Sequence, residues 1–362
     1  MNIIKKGFGV GCFGFHWKEE IENKSAKDWA TDIQGALNRL NNVYQVKINC
    51  SQFFLGFSSP ADEFSTAPLP HPRPHEALIE FDIRIPERNQ DNRFNANLGE
   101  DFRVTVIYEY FGPVAFVECL GESTDDDAGS SAVVVVREHL SQALKDDPKI
   151  DFSYVGPSPF HMEFFVSFFP TPQSIEGAPI HIEPTTGYDV CSIKLGIDSL
   201  DDLGDGLMYI FMRIARELSL FYCIVRTQLS LRDQEEAVYE VSQQVIDNYR
   251  KSGIPGYMYR FFVAGHKTRE LTLLVMDAEV DRLWKSQWIG QNLSELYNGS
   301  DLFFEAYLRK EFAIGDSPIL MNAKSVISQL EPARSREVQL LIGACMTLMG
   351  GVAGGLVSII AQ

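Results

Sequence analysis

The residues best suited to chemistry are scattered along the chain, and the spacing within each group decides what it could do. His71 and His75 stand four apart, an interval at which one helix face presents two imidazoles to a metal. Pro70, Pro72 and Pro74 surround them and exclude that helix. Asp198, Asp201, Asp202 and Asp205 could gather a calcium ion, but their order is not that of an EF-hand loop, and Asp205 is placed to cap a following helix. Asp125–Asp127 sit among Gly and Ser and read as solvated. His161, His181 and Glu183 fall near expected strand ends with no sequence partner. No P-loop, G-x-S-x-G, H-E-x-x-H or dinucleotide fingerprint is present. "GFGVGCFG" (Gly7–Gly14) has closely spaced glycines but lacks the helix that follows a phosphate-binding turn, and reads as a strand of small residues. No catalytic residue, cofactor site or metal site is assigned on this basis, although a triad assembled from distant residues leaves no sequence signature.

The remaining candidate for function is apolar. After Glu337 the chain carries no charge, and Val338–Gln362 as a helix would run about 37 Å, enough for a hydrocarbon core of about 30 Å. At about 100° per residue, Gly343, Gly350, Gly351, Gly354 and Gly355 fall on one arc, with Thr347 and Ser358 on or beside it. The opposite arc is Leu, Ile, Val and Met. Gly350/Gly354 and Gly351/Gly355 are overlapping G-x-x-x-G pairs, a glycine-zipper face that lets helix backbones approach closely in lipid. This face is the expected packing or pore-lining surface of a self-associating transmembrane helix. Other readings of the same segment are a plain oligomerising anchor and a buried C-terminal helix. Lys324, Arg334 and Arg336 precede the span and nothing charged follows it, so the positive-inside bias leaves the bulk of the protein in the cytoplasm.

Composition narrows the partners. Asp and Glu number 49 against 32 Lys and Arg, a net charge of −17, which argues against nucleic acid and against electrostatic docking on anionic lipid. With 45% hydrophobic residues the chain can bury a sizeable core. The six cysteines (Cys12, Cys50, Cys119, Cys191, Cys223 and Cys345) form no C-x-x-C pair and fit free thiols in a reducing compartment. The N-terminus lacks the leucine-rich core of a signal peptide and reads as a first strand.

Period-2 patterns predict strands within Val43–Phe57, Ala77–Ile85, Phe102–Phe111, Pro113–Leu120, Ile150–Val155 and Glu163–Phe169. Helices are expected over Ser25–Leu40, with Ser25 as N-cap, and over Ser130–Asp147. Several strands follow one another directly, so an α+β domain on a mixed or mainly antiparallel sheet is expected over residues 1–195. Ser58–Pro74 and Thr171–Gly187 are Pro- and Gly-rich connections. From residue 196 to 330 the pattern is helical. Leu207, Phe211, Ile214, Leu218, Phe221 and Val225 form a coiled-coil-like seam that wants a partner helix. The spacing slips near Leu231–Glu236 and resumes at Val238, Val241, Val245 and Tyr249, and Ser252–Gly256 is a turn. These features predict a long antiparallel helical hairpin, or stalk, followed by the span at 338–362.

A sensor, a stalk and a membrane output in that order suggest a tail-anchored, single-pass oligomer. In this reading its α+β domain meets a trigger, and its glycine-rich helix perturbs the membrane or forms a pore, by analogy with effectors of antiviral defence. The partners expected are other copies of the chain, through hairpin and span, the bilayer, and a protein partner at the α+β domain. The alternatives are a tail-anchored scaffold or adaptor, and a membrane-anchored enzyme.

Overall fold

A computed structural model describes residues 3–18, 25–50, 76–90, 98–120, 129–156, 160–170, 179–197, 202–250, 253, 256, 265–297, 302–312, 315, 317–330 and 339. They fall into two compact units, Met1–Thr227 with Gln291–Ala313, and Gln228–Gly290 with Ile314–Gln362.

The first unit is built on β1 (Ile4–Trp17), the middle strand of a nine-stranded sheet. Its other strands are β2 (Val43–Cys50), β3 (Ala77–Arg84), β4 (Asp101–Glu109), β5 (Gly112–Cys119), β6 (Ile150–Val155), β7 (Met162–Pro170), β8 (Ile180–Glu183) and β9 (Asp189–Ile197). The order is β2-β3-β4-β5-β1-β7-β9-β8, with β6 paired to β1 off that path. Every pair is antiparallel except β7–β9. The expected mixed, mainly antiparallel α+β sheet is therefore present, followed by long helices. The Pro- and Gly-rich stretch before Gly187 also holds a strand, β8, which its punctuation conceals.

Helices α1 (Ala26–Asn38) and α2 (Gly129–Ala143) cover one face. Ser25 caps α1 in a reciprocal box with Asp28. Trp29, Ile33 and Leu37 of α1, and Val133, Val136 and Leu140 of α2, pack on Phe15, Phe81, Val104 and Val117.

The glycines of β1 make this packing possible. Alternate residues of a strand face opposite ways, and Phe8 turns its ring onto Phe116, Phe164 and Phe211. Gly9 and Gly11 face α2 instead. A Cβ on Gly9 would lie 1.9 Å from the Gly129 carbonyl oxygen, and one on Gly11 would lie 2.5 Å from a Val133 methyl. The helix thus rests directly on strand backbone.

β1 pairs with β5 only as far as Gly11 and continues with β6 from Cys12. Beyond the end of the β5 pairing the Tyr108 hydroxyl takes over: it accepts from Phe15 N at 2.6 Å and donates to Phe15 O at 2.9 Å.

Helix α3 (Leu203–Arg250) supplies core residues to both units. Its first seam is buried as the spacing predicts, but its partner is chiefly the sheet rather than a second helix. Phe211 stacks on Phe116 at 4.3 Å, and Phe221 meets Phe160 edge-on. Aromatic residues on β1, β5 and β7 leave an apolar sheet face that α3 fills. Helix α4 (Gly265–Tyr297) and α5 (Glu305–Phe312) follow. Glu217, buried within α3, accepts from Phe303 N and Phe304 N at 3.1 and 2.8 Å, satisfying the donors that lead into α5.

In the second unit α3 and α4 run antiparallel. Val238, Val241 and Val245 pack with Ala278, Val275 and Leu271, and helix α6 (318–330) adds Leu320 and Ala323. Gly253, just past α3, holds φ at 78°, the left-handed conformation a turn glycine supplies. Asp205 lies in the first turn of α3, not at its cap, because the helix already begins at Leu203.

Two outcomes test the account of β1. Gly9→Ala must move α2 off the strand and should abolish soluble folding, whereas the cost of Gly11→Ala should be largely recovered by Val133→Ala, as read by thermal unfolding of the double mutant. Tyr108→Phe orphans a buried N–H and a buried C=O and should cost roughly 2–4 kcal/mol in denaturant unfolding.

Candidate functional site

The residues predicted to pack or line a pore, Gly343, Thr347, Gly350, Gly351, Gly354, Gly355 and Ser358, lie outside the described residues, as do His71, His75, Asp125–Asp127, Asp198 and Asp201. Among the described residues no helix is long and apolar enough to cross a membrane, and no cluster of three His, Cys, Asp or Glu could hold a metal. His161 precedes β7 and sets its ring edge-on to Tyr188, 5.3 Å away. His181 and Glu183 sit opposite Ser192 and Val190 in the β8–β9 ladder. The structure does not assemble these three into a site.

Cys12, Cys50, Cys119, Cys191 and Cys223 form no disulfide among the described residues. Burial raises the Cys119 thiol to about 11 and the Cys191 thiol to about 12, so neither is a thiolate nucleophile at neutral pH.

One polar cavity, of about 240 Å³, opens in the first unit. One wall is a stripe of α2: Val135, Glu138, His139 and Gln142, at helical steps of three, one and three. The other is the 3₁₀ turn Glu87–Asn89 after β3, with Arg88, Asn89 and Gln90 facing the cavity. That turn is pinned from behind. Gln90 Nε2 donates to Ile85 O at 2.8 Å and to Gly99 O at 2.7 Å. Glu100 accepts from Glu87 N at 3.3 Å and pairs with Arg84 at 2.6 Å.

The ring of His139 is set by Asn42. The Asn42 amide nitrogen donates to Arg84 O and lies 2.9 Å from His139 Nε2. A nitrogen already donating to a carbonyl presents its second hydrogen to the imidazole, so Nε2 is the acceptor and the proton sits on Nδ1. Burial also lowers the pKa of His139, which keeps the ring neutral. The cavity therefore combines a guanidinium, a carboxylate, a neutral imidazole donor, three amides and a small apolar patch at Val135. It has hydrogen-bonding partners for a small polar molecule but no nucleophile beside a base, an arrangement suited to binding rather than covalent catalysis.

A second polar cluster crosses β3, β4 and β5. Arg103 faces Asp82 on one side and Glu118 on the other, and grips Asp82 through two nitrogens at 2.9 and 3.1 Å. Asp82 and Glu118 are buried. Desolvation pushes Glu118 above the usual carboxylate range, against the pull of Lys6 and Arg103. This is a cross-strand charge ladder, stabilised by register. The sequence holds no sign of it, because its members are far apart in the chain.

No protein-family model, curated protein or solved structure matches the chain.

The histidine geometry has a pH consequence. Because the folded pKa of His139 is lowered, its contribution to stability is complete above about pH 6.5 and is lost as pH falls toward the folded value. Asn42→Asp, which sets a carboxylate against Nε2, should raise that pKa. An NMR titration of His139 in both proteins reads the shift directly.

Proposed function

We propose that the chain is an oligomeric membrane protein whose α+β unit senses a trigger and whose segment 338–362 acts in the bilayer, as a membrane-perturbing or pore-forming helix. The observation that carries the reading is the uncharged run Val338–Gln362 with its small residues gathered on one face. A plain anchor has no use for such a face, whereas a helix that must pack closely against copies of itself does. Ten Leu, Ile and Val residues supply roughly −3 to −6 kcal/mol of insertion, so association would add to a modest hold on the membrane.

Two features of the described units support a sensing role. The cavity between α2 and the 87–90 turn offers a ligand site on a rigid scaffold. Helix α3 contributes Phe211 and Phe221 to the first unit and Val238, Val241 and Val245 to the second, so one unbroken helix belongs to both cores. A change in the packing of one end can bias the other through a stiff element. The bulk of the chain would lie on the cytoplasmic side, with other copies and lipid as partners.

The test is membrane sedimentation in alkaline carbonate of the full chain beside a version stopped at Glu337. Only the full chain should sediment, and its release into the supernatant would overturn the proposal. Gly351→Leu and Gly354→Leu should remain in the membrane but lose oligomers. If they stay oligomeric and active, the segment serves only to localise a scaffold.

A further inference from the structure

Helix α4 buries Leu271, Val275 and Ala278 in the core of the second unit, yet it is apolar on its outward face as well. Lys285 is 2% exposed and faces into the bundle, while Leu283, two residues away, is 71% exposed. The buried lysine is satisfied locally: its Nζ lies 3.2 Å from Ser230 Oγ and 3.5 Å from Asp281, which also accepts from Gln234. Outward, Leu273, Met276, Val280, Leu283 and Trp284 are all more than half exposed. The neighbouring helix turns Arg232, Asp233, Glu236 and Glu240 to solvent and exposes Leu229 and Tyr239 singly among them. On α4 the exposed apolar residues instead form a continuous stripe.

Leu273, Met276, Val280 and Leu283 step by three, four and three, the a and d positions of a heptad seam. Val280 at a with Leu283 at d is the pairing that favours two parallel strands, and Leu273 and Met276 fill the other a and d positions. The flanks are compatible with a parallel pair. In a parallel, in-register pair the g residue of one helix meets the e residue five positions on in the other. Thr272 then meets Asp277, and Glu279 meets Trp284, so no like charges oppose one another across the seam. Gln287 falls at the next a position, where a polar residue fixes register. A glycine-faced span also packs copy against copy, and copies that share a bilayer orientation are parallel.

We infer that the outward face of α4 is the docking surface for a second copy of this chain, paired parallel and in register through Leu273, Met276, Val280 and Leu283. The inference rests on the proposal that the chain self-associates, and it names the face and the register outside the membrane. The indole of Trp284 flanks the seam and supplies the large, rigid contact area that interface centres favour.

The test uses the full chain in mild detergent with Cys345→Ser as background. Leu273→Cys and Leu283→Cys, made separately, should each form a disulfide-linked dimer on oxidation, because in-register pairing brings each position against itself across the axis. Gln244→Cys, on the exposed face of α3, should not. Leu283→Glu should abolish the Leu273→Cys cross-link. A cross-link of Leu273→Cys to Leu283→Cys, without self-linking of either, would mean antiparallel pairing and overturn the register. Oligomers that persist with no cross-link at either seam position would overturn this interface while leaving membrane self-association standing. A chain that is monomeric throughout would remove both.

Discussion

The first unit depends on a backbone-to-backbone approach. Strand β1 and helix α2 meet at Gly9 and Gly129, too close for any side chain on either. Lowering the helix onto bare strand lets Val133 and Val136 reach the same apolar layer as Phe15 and Phe81. The opposite face of β1 carries Phe8, so over Phe8–Gly11 the strand is bare toward α2 and aromatic toward α3. Few sequences tolerate that alternation, because glycine weakens a strand that is not held on both sides. Here β5, β6 and β7 hold it in successive stretches.

From that strand the candidate cavity follows. The position of α2 is set by the glycine contact, and with it the stripe from Val135 to Gln142. The facing wall is set independently, by Gln90 and Glu100 binding the turn after β3. Asn42, fixed to the Arg84 carbonyl, then chooses the tautomer of His139. Gln90 and His139 are each held by groups that do not line the cavity, the Ile85 and Gly99 carbonyls and Asn42, which is how a binding surface keeps its geometry before a ligand arrives.

Buried charge divides the two units. In the sheet, Arg103 pairs with Asp82 and faces the buried Glu118 across neighbouring strands. In the helical unit, Lys285 is enclosed with Ser230 and Asp281 while leucines face outward. A buried ion pair is weak evidence for stability, and its better-attested role is to specify register. On α4 that role would fit a helix whose other face remains apolar for a partner.

Local signals were legible in the chain itself. Period-2 runs located most strands, Ser25 marked the start of α1, and the three-four spacing located α3. The uncharged run after Glu337 is likewise a property of sequence, and it alone carries the membrane proposal. What the tertiary structure decided were the partners. The seam of Phe211 and Phe221 shows that α3 must bury a face, but a helix and an aromatic sheet present equally good apolar surfaces, and only strand order determines which is there. The same holds for the Asp82–Arg103–Glu118 ladder and for His139 beside Asn42, 97 residues away. Periodicity records which way a side chain points within its own element. Which residue it meets depends on register and topology, and these are fixed only when distant segments pack.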